Sequence, residues 1–504
     1  MKVLFIGFLF IALSLPIIGF AQQDASAIAR DWREANEPEI IHEFVELLKI
    51  PNVASDEVNI RRNASHISSL LQKRRFKTRL LEVEGSPPAI YAERMTPGAE
   101  KTLMIYIHYD GQPVNAADWS SDPWDPVMRN AAVELGGEVI EMTPPFDPEW
   151  RIFGRAAGDD KGPIIALSAA LDALDNGGIS PRVNLKLFLE GEEEAGSPHL
   201  RAMLEKHRDL LGADLWLFCD GPVHQSRQWL LSYGVRGTYG FDLTVFGANR
   251  PLHSGHYGNW APNPINELNQ LIATMRDESG HILVDGFHDE VVTPTLMEQQ
   301  AIAAAPLVDE RLLSELGISR AETDERLEMS LMRPAMNLRG IRSGDVGSQA
   351  RNSIQTSASA SIGLRLVPAQ TPDHLRSSIE KHLRDQGYHI VYEPPSAEQR
   401  TEFEKIALLK WSDAGYPAYR APMDMPILQN VSGILKELSD GTLIQLPTMG
   451  GSLPLYLIDQ VIGAPILILP IANHDNNQHG SDENLRLQNL WDAIEIYATV
   501  LTEL

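Results

Sequence analysis

Apolar runs that end abruptly in a histidine or an acid set the tightest limit on how this chain can fold. Thr102–Ile107 ends at His108, inside the stretch Ile107–Pro113, IHYDGQP. Asn184–Leu189 leads into Leu189–Ser197, LEGEEEAGS, and Leu215–Phe218 leads into Cys219-Asp220. Pro465–Leu469 precedes a polar loop that holds His479. A fifth acidic stretch, Gly154–Pro163 (GRAAGDDKGP), opens the helix-patterned segment Pro163–Leu174, with proline in the first turn, where it is tolerated. Short apolar runs alternating with helix-patterned segments predict a parallel-sheet α/β domain, whose strand ends present the functional loops.

The pattern changes after Ser232. Thr238–Val245 and Ser357–Leu366 alternate like half-buried strands, Asn263–Met275 and Leu375–Gln386 have helical spacing, and His389–Tyr392 reads as a strand. Between them, Glu290–Glu328 is charged and poorly patterned. This predicts a small α+β domain inserted at residues 233–396. The α/β style then resumes, with Phe403–Ala414 expected as a helix and Arg486–Leu501 as the last one. A chain of 504 residues exceeds what one core organises, so a discontinuous first domain, 22–232 plus 397–504, fits its length. The long Pro-, Asp- and Trp-rich stretch from Asp118 to Trp150 reads as a loop region with a hairpin at Leu135–Met142.

Lys2, the apolar run Val3–Gly19 and the small-residue exit Gly19-Phe20-Ala21 form a signal-peptide pattern over residues 1–21. Nothing after it is long and apolar enough to span a bilayer, so the mature chain is expected to be exported, secreted or periplasmic, and off the membrane. A net charge of −25 argues against nucleic acid as a partner. The one cysteine, Cys219, excludes an internal disulfide and reads as a small buried apolar side chain.

Taken singly, each polar site has a bland reading. His108 and Asp110 could be a surface turn, Asp159-Asp160 a helix cap, and Glu192–Glu194 a solvated acidic run. Together, five such sites at strand ends point to an open divalent-metal centre made of His and carboxylate donors. An i, i+2 pair at a strand end lets Asp110 orient the His108 imidazole on such a metal.

The motifs, in this order, resemble the dizinc metallopeptidase family of aminoacylases, carboxypeptidase G and carnosinases, and within it the carnosinase-like dipeptidase branch. The resemblance covers nearly the whole mature chain. It implies a catalytic domain with a mostly parallel sheet and an inserted lid and dimerisation domain. It implies two divalent ions per subunit, zinc first, with cobalt or manganese as alternatives. His108 and Asp220 would hold ions, Glu194 and His479 likewise, and Asp159 would bridge them. Glu193 would be the general base and Asp110 the group that orients His108. In the insert, His253 of PLHSGHYG would enter the partner subunit's active site in a homodimer. Asn352, Arg365 and Ser452 would hold a small peptide substrate. The chain departs from the family at Ala156, where glycine is frequent, at Gln355, where proline is frequent, and in an apparent insertion at Leu135–Trp150.

The expected activity is therefore metal-dependent cleavage of the amide bond of dipeptides or short peptides with a free C-terminal carboxylate. An N-acyl-amino-acid deacylase would use the same residues. A non-catalytic periplasmic binding protein would share the leader, size and charge but would not need Glu193 beside five donors. N-terminal sequencing of the protein expressed with its leader is expected to begin at Gln22; an intact Met1 in the mature form would overturn the cleavage.

Overall fold

Strands Thr102–His108 and Asn184–Glu190 are buried almost throughout, which is why both are apolar on both faces rather than alternating. They run parallel, with His108 opposite Glu190, at the centre of an eight-stranded sheet. The computed structural model describes residues 24–412 and 415–504; the expected leader lies outside them. In order across the sheet the strands are Lys77–Leu81, Ala89–Arg94, Asn184–Glu190, Thr102–His108, Leu215–Phe218, Ile466–Ile468, Leu230–Ser232 and Ile444–Leu446. The central pairings are parallel, while Lys77–Leu81 and Ala89–Arg94 add on antiparallel. The strands that carry His108, the Glu193 turn and Asp220 thus end at the same edge.

Helices Ala25–Leu48, Gly162–Asn176 and Leu487–Glu503 share one core on one face of this sheet. Helix Ala25–Leu48 has a local kink at non-helical Asn36, two residues before Pro38, which cannot donate to the helix. Leu200–Lys206 and Leu455–Val461 cover the other face over Phe188, Trp216 and Phe218. There Tyr106 stacks on Phe218 with ring centroids 4.0 Å apart.

A second sheet forms the insert, in the order Ala335–Arg342, Ser357–Leu366, Gly237–Phe246, Ile406–Trp411 and His389–Val391. Ser357–Leu366 alternates strictly between half-buried and buried, as its sequence predicts. Helices Pro264–Met275 and Pro372–Asp385 pack their apolar stripes on this sheet.

Three expectations need correction. The helix expected over Phe403–Ala414 is a strand, Ile406–Trp411, set between Gly237–Phe246 and His389–Val391. The preceding helix is Ala397–Glu402, started by a Ser396/Gln399 capping box. The inserted domain's sheet therefore continues beyond the boundary placed at 396. A short buried run such as Ile-Ala-Leu-Leu has no periodicity to separate helix from strand, and the open sheet edge decides. The unpatterned Glu290–Glu328 region holds helices Leu296–Ala304 and Asp309–Glu315 and the start of the turn Leu327–Ser330. The hairpin pairs Val127–Arg129 with Val139–Ile140, and Leu135 lies exposed in the connection.

That hairpin joins Arg151–Phe153 and Asn484–Arg486 in a small antiparallel sheet. It clasps the loop bearing His479: Arg151 pairs with Asp475 at 2.7 Å, and Ser120 donates backbone N–H and hydroxyl to Asp482. Among the described residues no helix is long and apolar enough to cross a membrane.

Candidate metal centre

His108 closes its strand with a fully buried ring. Its Nδ1 lies 3.2 Å from the Asp110 carbonyl and 3.5 Å from the Asp110 carboxylate. The same carboxylate accepts the backbone N–H groups of Glu193 and Glu194, each at 3.0 Å. Asp110 thus orients His108 and also fixes the acidic turn on the neighbouring strand end. The turn Glu193–Ala195 is closed by Gly196 at φ +87°, a left-handed conformation that glycine adopts without strain. At Gly191 a Cβ would lie 2.5 Å from the Tyr109 hydroxyl, so only glycine fits.

Asp159 lies in an irregular turn that runs into helix Gly162–Asn176. Ala156, which begins the turn, has φ +64°, which accounts for the frequent glycine there in the family it resembles. Glu483, not singled out by the sequence analysis, holds this turn. One of its oxygens accepts from the backbone N–H of Gly158 and of Asp159, at 3.0 and 2.9 Å. The other accepts from Ala156 N–H at 3.0 Å and from the Arg155 guanidinium at 2.7 Å. Arg155 also donates to the Gly480 carbonyl at 2.9 Å and lies over the Trp119 ring. The Asp159 turn and the His479 loop are therefore bound to one buried ion pair.

The five expected ligands converge. Asp159 presents one oxygen to His108 Nε2 at 2.9 Å and the other to His479 Nε2 at 3.2 Å. Asp220 approaches His108 Nε2 at 3.7 Å, and Glu194 approaches His479 Nε2 at 3.2 Å. Among the described residues two donor sets emerge, His108 with Glu193 and Asp220, and Asp159 with Glu194 and His479, each set's atoms within 4.8 Å of one another. Glu193 stands inside the first set, closer to being a ligand than the sequence analysis expects.

Burial and the mutual repulsion of the acids shape the electrostatics of the site. Burial, with Asp159 close by, pushes Asp220 up to about 7 and Glu194 up to about 8. Burial also raises Glu193 well above the carboxylate range, with the charge of His108 opposing and that of Asp220 adding. The hydrogen bond to Asp159 raises His479 to about 8, against its burial. Burial opposes ionisation of Asp159 too, but His108 and His479 hold it well below its ordinary value. Four carboxylates and two neutral imidazoles carry a charge of about −4, which two divalent cations cancel. The donor set, mixed N and O, fits zinc, cobalt or manganese.

A cleft of about 540 Å³ opens on these groups and contains Asp159, Glu193, Asp220 and His479, with Arg365 and Ser452 opposite. Arg365, at the end of an insert strand, hydrogen-bonds the Ser452 hydroxyl of the catalytic domain. A second guanidinium, Arg236, lies beside it on the Gly450 carbonyl; burial and the Arg365 charge lower it to about 10. Sequence reading missed Arg236, which follows Tyr-Gly-Val with no periodic signal. His253 and Asn352 are not in this cleft. They lie together on the insert, where the short strand Leu252–His253 pairs with Ser353–Ile354. His253 Nδ1 accepts the Gly255 N–H at 3.1 Å, leaving Nε2 as the donor nitrogen of the neutral ring.

Residues 233–391 match the peptidase dimerisation domain of the M20 type. The chain is 26% identical over 425 residues to the Cys-Gly metallodipeptidase dug1 of Schizosaccharomyces pombe, covering 83% of each protein. It is 26% identical over 429 residues to human Beta-Ala-His dipeptidase, covering 83% of this chain and 78% of that protein. Its fold matches an M20 family metallo-carboxypeptidase of Sulfolobus solfataricus with a TM-score of 0.74 at 24% identity, over 92% of this chain and 99% of that one. The catalytic domain and its insert thus follow the M20 peptidase architecture, and the donor groups suit two metal ions.

Glu483→Ala leaves three backbone N–H groups and Arg155 Nη1 without their acceptor. Bound metal, measured by elemental analysis after dialysis against graded chelator, is expected to weaken by about 10–100-fold. Wild-type metal retention in a folded Glu483→Ala protein would remove this residue from the support of the site.

Proposed function

We propose that this chain, a metallopeptidase by its M20 fold and paired donor sets, hydrolyses dipeptides or short peptides with a free C-terminal carboxylate. The observation that carries this reading is the convergence in one cleft of Asp159, held between His108 and His479, with the Arg365 guanidinium opposite.

His108, Asp159, Glu194, Asp220 and His479 would hold two divalent cations, whose Lewis acidity would serve the attack of water on the scissile amide. Everything else falls to the protein. Glu193 takes a proton from the attacking water on its carboxylate and delivers it to the leaving amine nitrogen. Arg365, its geometry suited to a paired hydrogen bond, holds the substrate carboxylate, and Ser452 steadies the guanidinium. His253 and Asn352 serve the active site of the partner subunit in a homodimer built through the insert. There the His253 Nε2–H would stabilise the developing oxyanion, an effect worth roughly 3–4 kcal/mol for one good donor. The M20 dimerisation domain supports the pairing, and the exposed placement of both residues away from the cleft supports the exchange. Export is part of the same proposal and rests on Lys2, the apolar run Val3–Gly19 and the small-residue exit before Gln22. An N-acyl-amino-acid deacylase would use the same groups; a panel of dipeptides and N-acyl amino acids on the zinc-loaded protein separates the two.

Glu193→Ala is expected to keep most of its metal while kcat falls by about 10²–10⁴. Wild-type turnover in that variant moves the base elsewhere, and loss of metal makes Glu193 a ligand. Mixing inactive His253→Ala and Glu193→Ala proteins under subunit exchange is expected to restore activity, because one site of each mixed dimer carries neither change. No recovery despite demonstrated exchange would confine His253 to its own chain.

A further inference from the structure

We infer that residues 327–331 of the inserted domain build, within the same chain, an apolar subsite for the side chain of the substrate's C-terminal residue, so that preferred dipeptides end in a bulky apolar amino acid. This rests on the dipeptidase reading above.

Leu327 and Leu331, four residues apart around the turn Leu327–Ser330, both line the cleft. Facing residues are Leu230, Val235, Leu446 and Met449 of the catalytic domain. This wall is continuous with the Arg365 end. Leu331 packs so closely on Gly450 that a Cβ there would lie 3.1 Å from its Cδ2, and Met449 packs likewise on Gly221, at 2.8 Å. Gly450 is two residues from Ser452, which Arg365 grips. In a dipeptide the α-carbon adjoins the terminal carboxylate, so a carboxylate on Arg365 sends the side chain of that residue along this wall.

The segment is pinned to the catalytic domain. His224, four residues after Asp220, accepts the Ser226 N–H at Nδ1, so Nε2 donates to Glu328, 3.2 Å away. The second Glu328 oxygen accepts from Arg326 at 2.7 Å, and Arg326 donates to the carbonyls of Ala305 and Pro306. Helix Leu296–Ala304 is tied down by the buried Glu298–Arg420 pair at 2.9 Å. Both Glu328 oxygens are thus engaged, so the wall offers no free anion to a lysine or arginine side chain, and apolar side chains are what it can bury.

The test uses the zinc-loaded full chain and kcat/KM for Ala-Leu, Ala-Phe, Ala-Gly, Ala-Asp and Ala-Lys. Ala-Leu and Ala-Phe are expected to exceed Ala-Gly by roughly ten- to hundredfold, the scale of burying one such side chain. Leu331→Ala and the similarly sized Leu331→Gln are both expected to cut that ratio by about tenfold. Glu328→Ala, which frees the segment, is expected to do the same. Equal rates for Ala-Gly, a preference for Ala-Lys or Ala-Asp, or a ratio unchanged in folded Leu331 variants would overturn the subsite while leaving the dipeptidase reading intact. If no dipeptide is cleaved, that reading fails. Calorimetry with free L-phenylalanine against glycine then decides the subsite: tighter phenylalanine supports it, and equal binding rejects it.

Discussion

Four acids that repel one another in a dry place cannot hold their own positions, and much of the first domain answers that problem. Asp159, Glu193, Glu194 and Asp220 lie within a few ångströms of two imidazoles. Two of the donor segments are fixed by acceptors outside the donor set. The Asp110 carboxylate takes both N–H groups of the Glu193-Glu194 turn, and the Glu483 carboxylate takes three N–H groups around Asp159. These bonds are made to the backbone, so the side chains are left to face one another and whatever cation they share. An anchored backbone is what lets repelling groups remain together.

The insert plays two parts, and they differ in where they touch. A separate two-stranded ribbon, Leu252–His253 with Ser353–Ile354, carries His253, with Asn352 just before its second strand, outside the cleft. The insert's irregular middle, with helices Leu296–Ala304 and Asp309–Glu315, turns back onto the catalytic domain through Glu298–Arg420 and His224–Glu328. One stretch of the insert thus lines the cleft of its own chain, while the ribbon with His253 lies outside that cleft.

How much of this was legible follows from the kind of signal each residue gives. His108, Asp159, Glu194, Asp220 and His479 could be found because each stands where an apolar run stops or a helix starts, and their order matched a known family. The donor geometry then brought them together. Arg155, Glu483 and Arg236 carry no such mark. Glu483 is one acid in a polar loop, and its four donors come from residues more than three hundred positions away. The strand Ile406–Trp411 was misread because its buried apolar run looks alike as helix or strand. Glu290–Glu328 carries no clear pattern because its short helices pack on the catalytic domain rather than on the insert's own sheet. Local periodicity reports a single buried face, whereas Ile406–Leu409 is buried on both faces.

Glu483 also bears on how portable such a centre is. Anyone transplanting the six donors onto another α/β scaffold would copy side chains that point at each other from four strand-end loops and a helix-entry turn. Without Glu483, Arg155 and Asp110, those segments would have no reason to keep their backbones in place, and the grafted acids would push them apart. The smallest unit that can be moved is therefore the donors together with the buried carboxylates that grip their main chains.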